Sequence, residues 1–252
     1  MKQPVIYIVV PCFNEEEVLP ESVPVLSDTL ETLIRENTAA PESRLLFVDD
    51  GSSDGTWSLL ESFYEKNPLV CALKLRQNRG HQNACMAGMI TAARFADAVV
   101  TIDADLQDDP GVIGEMVKKY AAGCGVVCGV RRSRKSDTFM KRVTARGFYL
   151  LVKLGGAKVV FDHADFRLMS REAVERLTCF GTEDLFLRGL VTRLGLPLDK
   201  VYYDRTPRLA GESKYSLKKM LHLARRGFES GRAKMADAPQ LGELYIEKEL
   251  LQ

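Results

Sequence analysis

The sequence predicts an α/β domain with a mostly parallel central sheet and helices on both faces. Two observations predict it. Short β-branched runs alternate with longer stretches of helical periodicity up to residue 130, and clusters of polar residues fall where those runs end. Alternation of this kind favours parallel strands joined by crossover helices. In such sheets ligands bind outside the carboxyl ends of the strands.

The elements follow in order. Val5–Val10 reads as a strand. Glu21–Glu36 reads as a helix that places Val25, Leu26, Leu30, Leu33 and Ile34 on one face. Leu45–Asp49 is a second strand, and Asp54 can cap a helix through Tyr64. Val70–Leu75 is a third strand, followed by a helix rich in small residues over Gly80–Phe95. Ala98–Ile102 is a fourth strand. Pro110–Ala121 is a helix opening on a proline, where the missing N–H costs nothing. Gly125–Val130 is a fifth strand. No repeat or low-complexity tract interrupts the chain before residue 229. The expected division is therefore a catalytic domain over 1–228 and a polar tail over 229–252, with a short charged helix at Leu241–Leu251.

Composition narrows the class. At 252 residues the chain can bury a substantial core. Lys and Arg number 35 against 34 Asp and Glu, so the net charge is +1 and nucleic acid is not an expected partner. Any electrostatic message must be local. Arg131 to Arg146 forms one basic segment, and Arg205 to Arg232 a second. The six cysteines are scattered and read as free thiols of a reducing compartment; Cys124 and Cys128 lack a second pair with zinc spacing. The first apolar run is strand-length, and no stretch reaches the roughly 20 apolar residues of a bilayer span. The expected location is cytoplasmic.

Three polar clusters carry chemistry. Asp103-Ala104-Asp105 follows the fourth strand, so two carboxylates can face a common site. Such oxygens suit Mg²⁺ or Mn²⁺ shared with substrate phosphates. Alone the pattern also fits a solvated turn. Asp49-Asp50-Gly51-Ser52-Ser53-Asp54 follows the second strand, where carboxylates can accept from base or ribose donors, or merely shape a turn and cap. Pro11-Cys12-Phe13-Asn14-Glu15 adds polar groups at the same edge. No Gly-x-Gly-x-x-Gly or Gly-Lys-Ser/Thr loop is present, which argues against a dinucleotide enzyme or a P-loop ATPase.

Taken in order, these segments resemble the family 2 glycosyltransferases, which have the GT-A fold. Asn78-Arg79-Gly80 and Asp103 to Pro110 continue the likeness. His163-Ala164-Asp165-Phe166-Arg167-Leu168-Met169-Ser170 and Ala210-Gly211-Glu212-Ser213-Lys214-Tyr215 resemble the branch that loads sugars onto polyprenyl phosphates, of the dolichol-phosphate mannosyltransferase and bactoprenol glucosyltransferase type. The resemblance spans residues 4 to 228.

It implies roles residue by residue. Pro11, Asn14, Glu15, Asp49 and Asp50 match segments that line the nucleoside pocket. Asp103 and Ala104 match the nucleotide-sugar side of the metal segment. Asp105 matches the principal metal ligand, and Gln107 a further metal-site residue. Asp108 is expected to cap the next helical turn. Asp165, with Asp105, falls at the reacting centre. Arg131 and Arg146 are candidates for the acceptor phosphate. Arg208, Ser213 and Lys214 match a loop that closes over the diphosphate, with Lys214 on the donor.

The implied activity is metal-dependent transfer of a sugar, with inversion, from a nucleotide-diphosphate sugar to a polyprenyl phosphate such as undecaprenyl phosphate. UDP is the preferred nucleotide and GDP the second. A phosphate acceptor is already anionic, so it needs little help from a base. Two other readings stand beside this one. The first is a family 2 enzyme acting on a saccharide or cell-wall hydroxyl, with Asp165 as base. The second is a nucleotide-sugar-binding subunit without turnover. Ser216–Phe228 is an amphipathic basic stretch, equally a peripheral anchor on the inner membrane face or a core-packed helix. Members of the branch commonly continue into membrane spans after this point, where Gly231 to Pro239 is polar here. A homo-oligomer is compatible with the sequence.

Overall fold

The structure is a computed structural model and describes residues 3–132, 163–181, 185–205, 235–236 and 244–251. Its elements run β1 (Ile6–Cys12), α1 (Leu19–Arg35), β2 (Arg44–Asp49), α2 (Thr56–Lys66), β3 (Val70–Leu75), α3 (His81–Ala93) and β4 (Ala98–Thr101). A 3₁₀ turn at Pro110–Val112 leads into α4 (Ile113–Ala121) and β5 (Val126–Arg131). Then come β6 (His163–Ser170), α5 (Arg171–Thr178), the single turn α6 (Leu187–Leu190), a 3₁₀ turn at Val191–Arg193, β7 (Leu198–Tyr203) and β8 (Ile246–Leu250).

The strands form one sheet in the order β7-β5-β6-β4-β1-β2-β3-β8. β4, β1, β2 and β3 run parallel, as their connecting helices require. β6 is antiparallel to β4 and β5, which brings Arg167 opposite Thr101 and places Asp165 just beyond β4's carboxyl end. β5 and β7 are parallel.

Two apolar layers cover the sheet. Ile6, Ile8 and Val10 face α1, α2 and α4, while Tyr7 and Val9 face α3, α5 and α6. The buried stripe of α1 is Leu19, Val23, Leu26, Leu30 and Leu33. Val25, expected on that face, is exposed, because the stripe follows a 4-3-4-3 spacing that passes it by. The small residues of α3 serve close packing. A Cβ at Gly88 would stand 2.4 Å from a Val9 methyl and 2.7 Å from a Val48 methyl. The helix can therefore lie directly on β1 and β2, with its N-terminus at the strand ends.

One expectation changes. Within the stretch expected to be helical, Ile246–Leu250 is a strand, antiparallel to β3. The segment is charged and short, so it has little intrinsic helix stability, while the open edge of β3 offers a row of backbone partners. The sheet thus includes part of the tail that the sequence set apart from the domain. The amphipathic stretch at 216–228, read equally as a peripheral anchor or a core-packed helix, lies outside the described residues. Among the described residues no helix is long and apolar enough to cross a membrane.

Candidate active site

The carboxyl ends of β1, β2 and β3 carry loops that hold one another. Asn14, with φ 55°, adopts a left-handed conformation that Asn tolerates. Its N–H donates to Ser52 Oγ at 2.9 Å, and its Oδ1 accepts from the Ser53 N–H at 2.9 Å. The Glu15 N–H donates to Thr56 Oγ1 at 2.8 Å. Asp54 Oδ1 accepts from Thr56 N–H and Oγ1, so it shapes the start of α2 from just ahead of the cap position, which Gly55 holds.

Asp49 and Asp50 are both buried, and burial pushes both carboxyls above the usual range. They differ in what they hold. Asp50 accepts from the Arg79 N–H at 2.7 Å and the Gly80 N–H at 2.8 Å, one on each oxygen. It fixes the Asn78–Gly80 loop. Asp49 Oδ1 accepts from the Ser52 N–H at 3.0 Å, while its Oδ2 is buried with no hydrogen-bond partner among the described residues. A buried acceptor without a donor is costly, so this oxygen is available to a donor from outside the chain.

After β4 the side chains alternate. Ala104, Leu106 and Asp108 turn into the protein; Asp103, Asp105 and Gln107 stay partly exposed. Leu106 makes the alternation by taking φ 48° and burying its side chain. Ala104 therefore offers a ligand no side chain, since its methyl joins the core.

Asp108 does not cap the following turn. That cap is Asp109, which accepts from the Gly111 N–H at 2.8 Å. Asp108 is buried instead, and its Oδ1 accepts from Tyr203 Oη at 2.6 Å and from Arg131 Nη2 at 3.0 Å. Tyr203 packs edge-on to Phe166 at 5.5 Å. Arg131 was expected to reach toward an acceptor phosphate, but its guanidinium is engaged with Asp108. Burial opposes the guanidinium charge, but Asp108 and Tyr203 together hold Arg131 above its ordinary pKa.

Asp165, on β6, stands beside this segment. Arg188 Nη2 donates to its Oδ2 at 2.7 Å and Arg188 Nε to its Oδ1 at 3.2 Å. Arg167, buried on the same strand face two residues on, also pairs with Oδ1. Burial would raise the Asp165 pKa, but Arg188, Arg167 and His81 hold it well below the usual carboxylate range. His81 opens α3 and brings Nε2 to 3.6 Å from Asp103 and 3.7 Å from Asp165. Burial works against its charged form, yet Cys85, Asp103 and Asp165 push it well above the ordinary histidine value. Burial, with Asp165, Asp108 and Asp105 nearby, raises Asp103 against the pull of His81.

The structure thus brings Asp103, Asp165 and His81 together, in one loop-and-strand cluster with Asp105 and Gln107. Arg146, Arg208, Ser213 and Lys214 lie outside the described residues. His81 and Arg188 had no role in the sequence reading. Arg167 was readable, since alternate strand residues share a face. Arg188 carried no motif at all.

The donor set on the exposed side of the loop is all oxygen. Asp105 Oδ1 accepts from the Gln107 N–H at 3.2 Å, and Gln107 Oε1 accepts from Arg205 Nη2. Among the described residues no group of three His, Cys, Asp or Glu side chains is arranged to hold a metal ion by itself. Carboxylate and amide oxygens of this kind suit Mg²⁺ or Mn²⁺, which take few protein ligands and complete their shell with phosphate and water, although Arg205 holds the Gln107 oxygen in this structure.

Polar loops over parallel strand ends, with a carboxylate segment after β4, define a GT-A-type nucleotide-sugar transferase fold. Residues 7–178 match glycosyl transferase family 2, and the chain belongs to that family. It is 50% identical to the Bacillus subtilis glycosyltransferase YkoT over 228 residues, covering 90% of this chain and 68% of that one. It is 38% identical to the bactoprenol glucosyl transferase of Shigella phage SfX over 226 residues, covering 89% and 72%. The glucosyl-3-phosphoglycerate synthase of Mycobacterium tuberculosis, solved with Mn²⁺, UDP and phosphoglyceric acid, has the same fold. Its TM-score is 0.57 at 20% identity, covering 90% of this chain and 77% of that one. The protein is a glycosyltransferase.

Proposed function

We propose that this glycosyltransferase moves a sugar from a UDP-sugar to a polyprenyl phosphate, in one displacement with inversion at the anomeric carbon. The observation that carries the reading is the state of Asp165. Two guanidinium groups keep it ionised and weakly basic, so it is poorly suited to take a proton from a hydroxyl. An acceptor that arrives as an anion needs no such base. The likeness to bactoprenol glucosyl transferases supports a lipid phosphate as that anion.

The residues then divide the work. Asp49 accepts from the base or ribose through its unpartnered oxygen. Asp50 and Asn14 keep the surrounding loops in place. Asp103, bridged to Asp165 by His81, faces the sugar side of the donor. Asp105 and Gln107 would hold a divalent cation, and its charge would help to neutralise the departing diphosphate. Asp165 orients the sugar. An acceptor phosphate oxygen forms the new bond to the anomeric carbon as the bond to the UDP oxygen breaks. Holding two anions together is the main demand, and binding supplies it. The family resemblance gives Arg146, Arg208, Ser213 and Lys214 to the phosphates in this reading.

The test is a panel of labelled nucleotide sugars with Mg²⁺ or Mn²⁺, offered undecaprenyl phosphate or hydroxyl acceptors. The expected product is a sugar-phosphate lipid of inverted configuration. Preferential transfer to a hydroxyl restores Asp165 as a base, and retained configuration ends the single-displacement reading. Tight UDP binding with no donor consumed on any acceptor identifies a binding subunit instead.

A further inference from the structure

β8 meets the nucleotide side of the sheet at one residue. Tyr245 stands just before the strand, and its carbonyl accepts from the Arg76 N–H at 2.9 Å. Its ring lies 3.8 Å from the Arg79 guanidinium carbon. Arg79 and Gly80 supply the two N–H groups that hold Asp50. Tyr245 reaches this place with φ 56°, a strained conformation for an aromatic residue, which the surrounding contacts must sustain.

The loop beneath has no spare room. A Cβ on Gly51 would come within 2.5 Å of the Gln77 carbonyl carbon and 2.6 Å of the Asn78 nitrogen. The Asp49–Asp54 turn and the 76–80 loop are therefore packed backbone on backbone. Fixing one fixes the other. Farther along, β8 is tied to the domain by pairs that do not touch the site. Lys248 bonds Glu61 at 2.6 Å, Arg94 pairs with Glu249 at 3.3 Å, and Tyr64 Oη donates to the Leu251 carbonyl at 3.4 Å.

We infer that Tyr245 is a positioning residue for the nucleotide pocket. By stacking on Arg79 it holds the Arg79–Gly80 N–H groups against Asp50, and so makes the C-terminal strand part of the donor site. The inference rests on the nucleotide reading of the Asp49–Asp50 loop. A guanidinium over a phenol ring is most useful where a loop must stay still without covering the ligand. The strand lends rigidity from the sheet edge, with β3, β2, β1 and β4 between it and Asp165 on β6.

The test combines amide exchange with UDP titration on the full chain. In Tyr245→Ala the Arg79 and Gly80 amides should exchange faster, and the UDP dissociation constant should rise about tenfold. The donor KM should rise with it, while kcat at saturating donor stays within about twofold. Tyr245→Phe keeps the ring and should restore all three. Lys248→Ala loosens the outer anchor of β8 and should leave UDP affinity unchanged. UDP affinity that is unaltered in Tyr245→Ala, or lost equally in Tyr245→Phe, overturns the inference. Failure of the unmodified chain to bind UDP overturns the nucleotide reading itself, and this inference with it.

Discussion

At the ends of β1, β2 and β3 acidic and amide side chains bind backbone N–H groups; beside the end of β4, Asp165 and Asp108 are held by arginine and tyrosine side chains. Asp50 holds the Arg79 and Gly80 amides, and Asn14 and Asp54 lace their loops in the same manner. Asp165 is gripped by Arg188 and Arg167, and Asp108 by Arg131 and Tyr203. The first arrangement fixes a shape, since backbone donors are set by the fold. The second fixes a charge state, since each carboxylate sits beside a cation. A pocket for a rigid base needs shape. A centre that joins two anions, as in the proposed reaction, needs its protons and charges fixed beforehand.

The sharpest break in this contrast is Asp105→Ala. It removes, from a partly exposed loop position, the carboxylate that the proposed function gives to the metal, so turnover should fall about 10³-fold or more while the melting temperature is kept. Initial rates and thermal unfolding on the same preparation check it; retained turnover would sink the metal assignment.

Arg188→Leu comes next. It removes a bidentate cation from Asp165, and kcat/KM should drop about 10²-fold. The sign of the accompanying pH effect is fixed. Asp165 is held well below its unfolded pKa, so its stabilising pairing is complete above the ordinary carboxylate range and is lost only as pH falls through the depressed folded value. Without Arg188 that value rises. The variant should therefore lose stability and activity at a higher pH than the unmodified protein, as an acid limb of kcat/KM would show. Coincident acid limbs would contradict the role given to Arg188.

Asp50→Ala affects shape instead of charge. Two buried N–H groups lose their acceptor, which should cost about 2 kcal/mol of stability and raise the donor KM more than it lowers kcat. Denaturant unfolding and donor saturation curves separate the two. The smallest effect belongs to the outer edge. Arg94→Ala breaks a half-exposed pair with Glu249 and should change stability by about 0.5 kcal/mol or less, with kinetics unchanged.

Much of the donor side was legible in the sequence, because its information is local. β1 to β4 follow runs of buried aliphatic residues, and their ends coincide with the polar clusters. The alternation of Asp103, Asp105 and Gln107 against Ala104 and Leu106 also lies within one short segment. The reacting side was less legible. Arg188 reaches Asp165 across 23 positions and Arg131 reaches Asp108 across the same span, and neither pairing follows from a spacing rule. Asp108 and Asp109 are adjacent and chemically alike, and only the buried Tyr203 hydroxyl, 95 positions away, tells the ion-pair anchor from the cap.

By itself the sequence determined the parallel core, the family and the oxygen-rich loop after β4, since periodicity and short motifs record local backbone preferences. The tertiary structure decided which charges meet and where the tail goes. Salt-bridge partners are set by the antiparallel pairing of β6 beside β4, which brings Asp165 to the end of β4, and by β5, whose Arg131 reaches Asp108. Ile246–Leu250 became a strand because the exposed edge of β3 offered unpaired backbone groups that a short charged helix could not match.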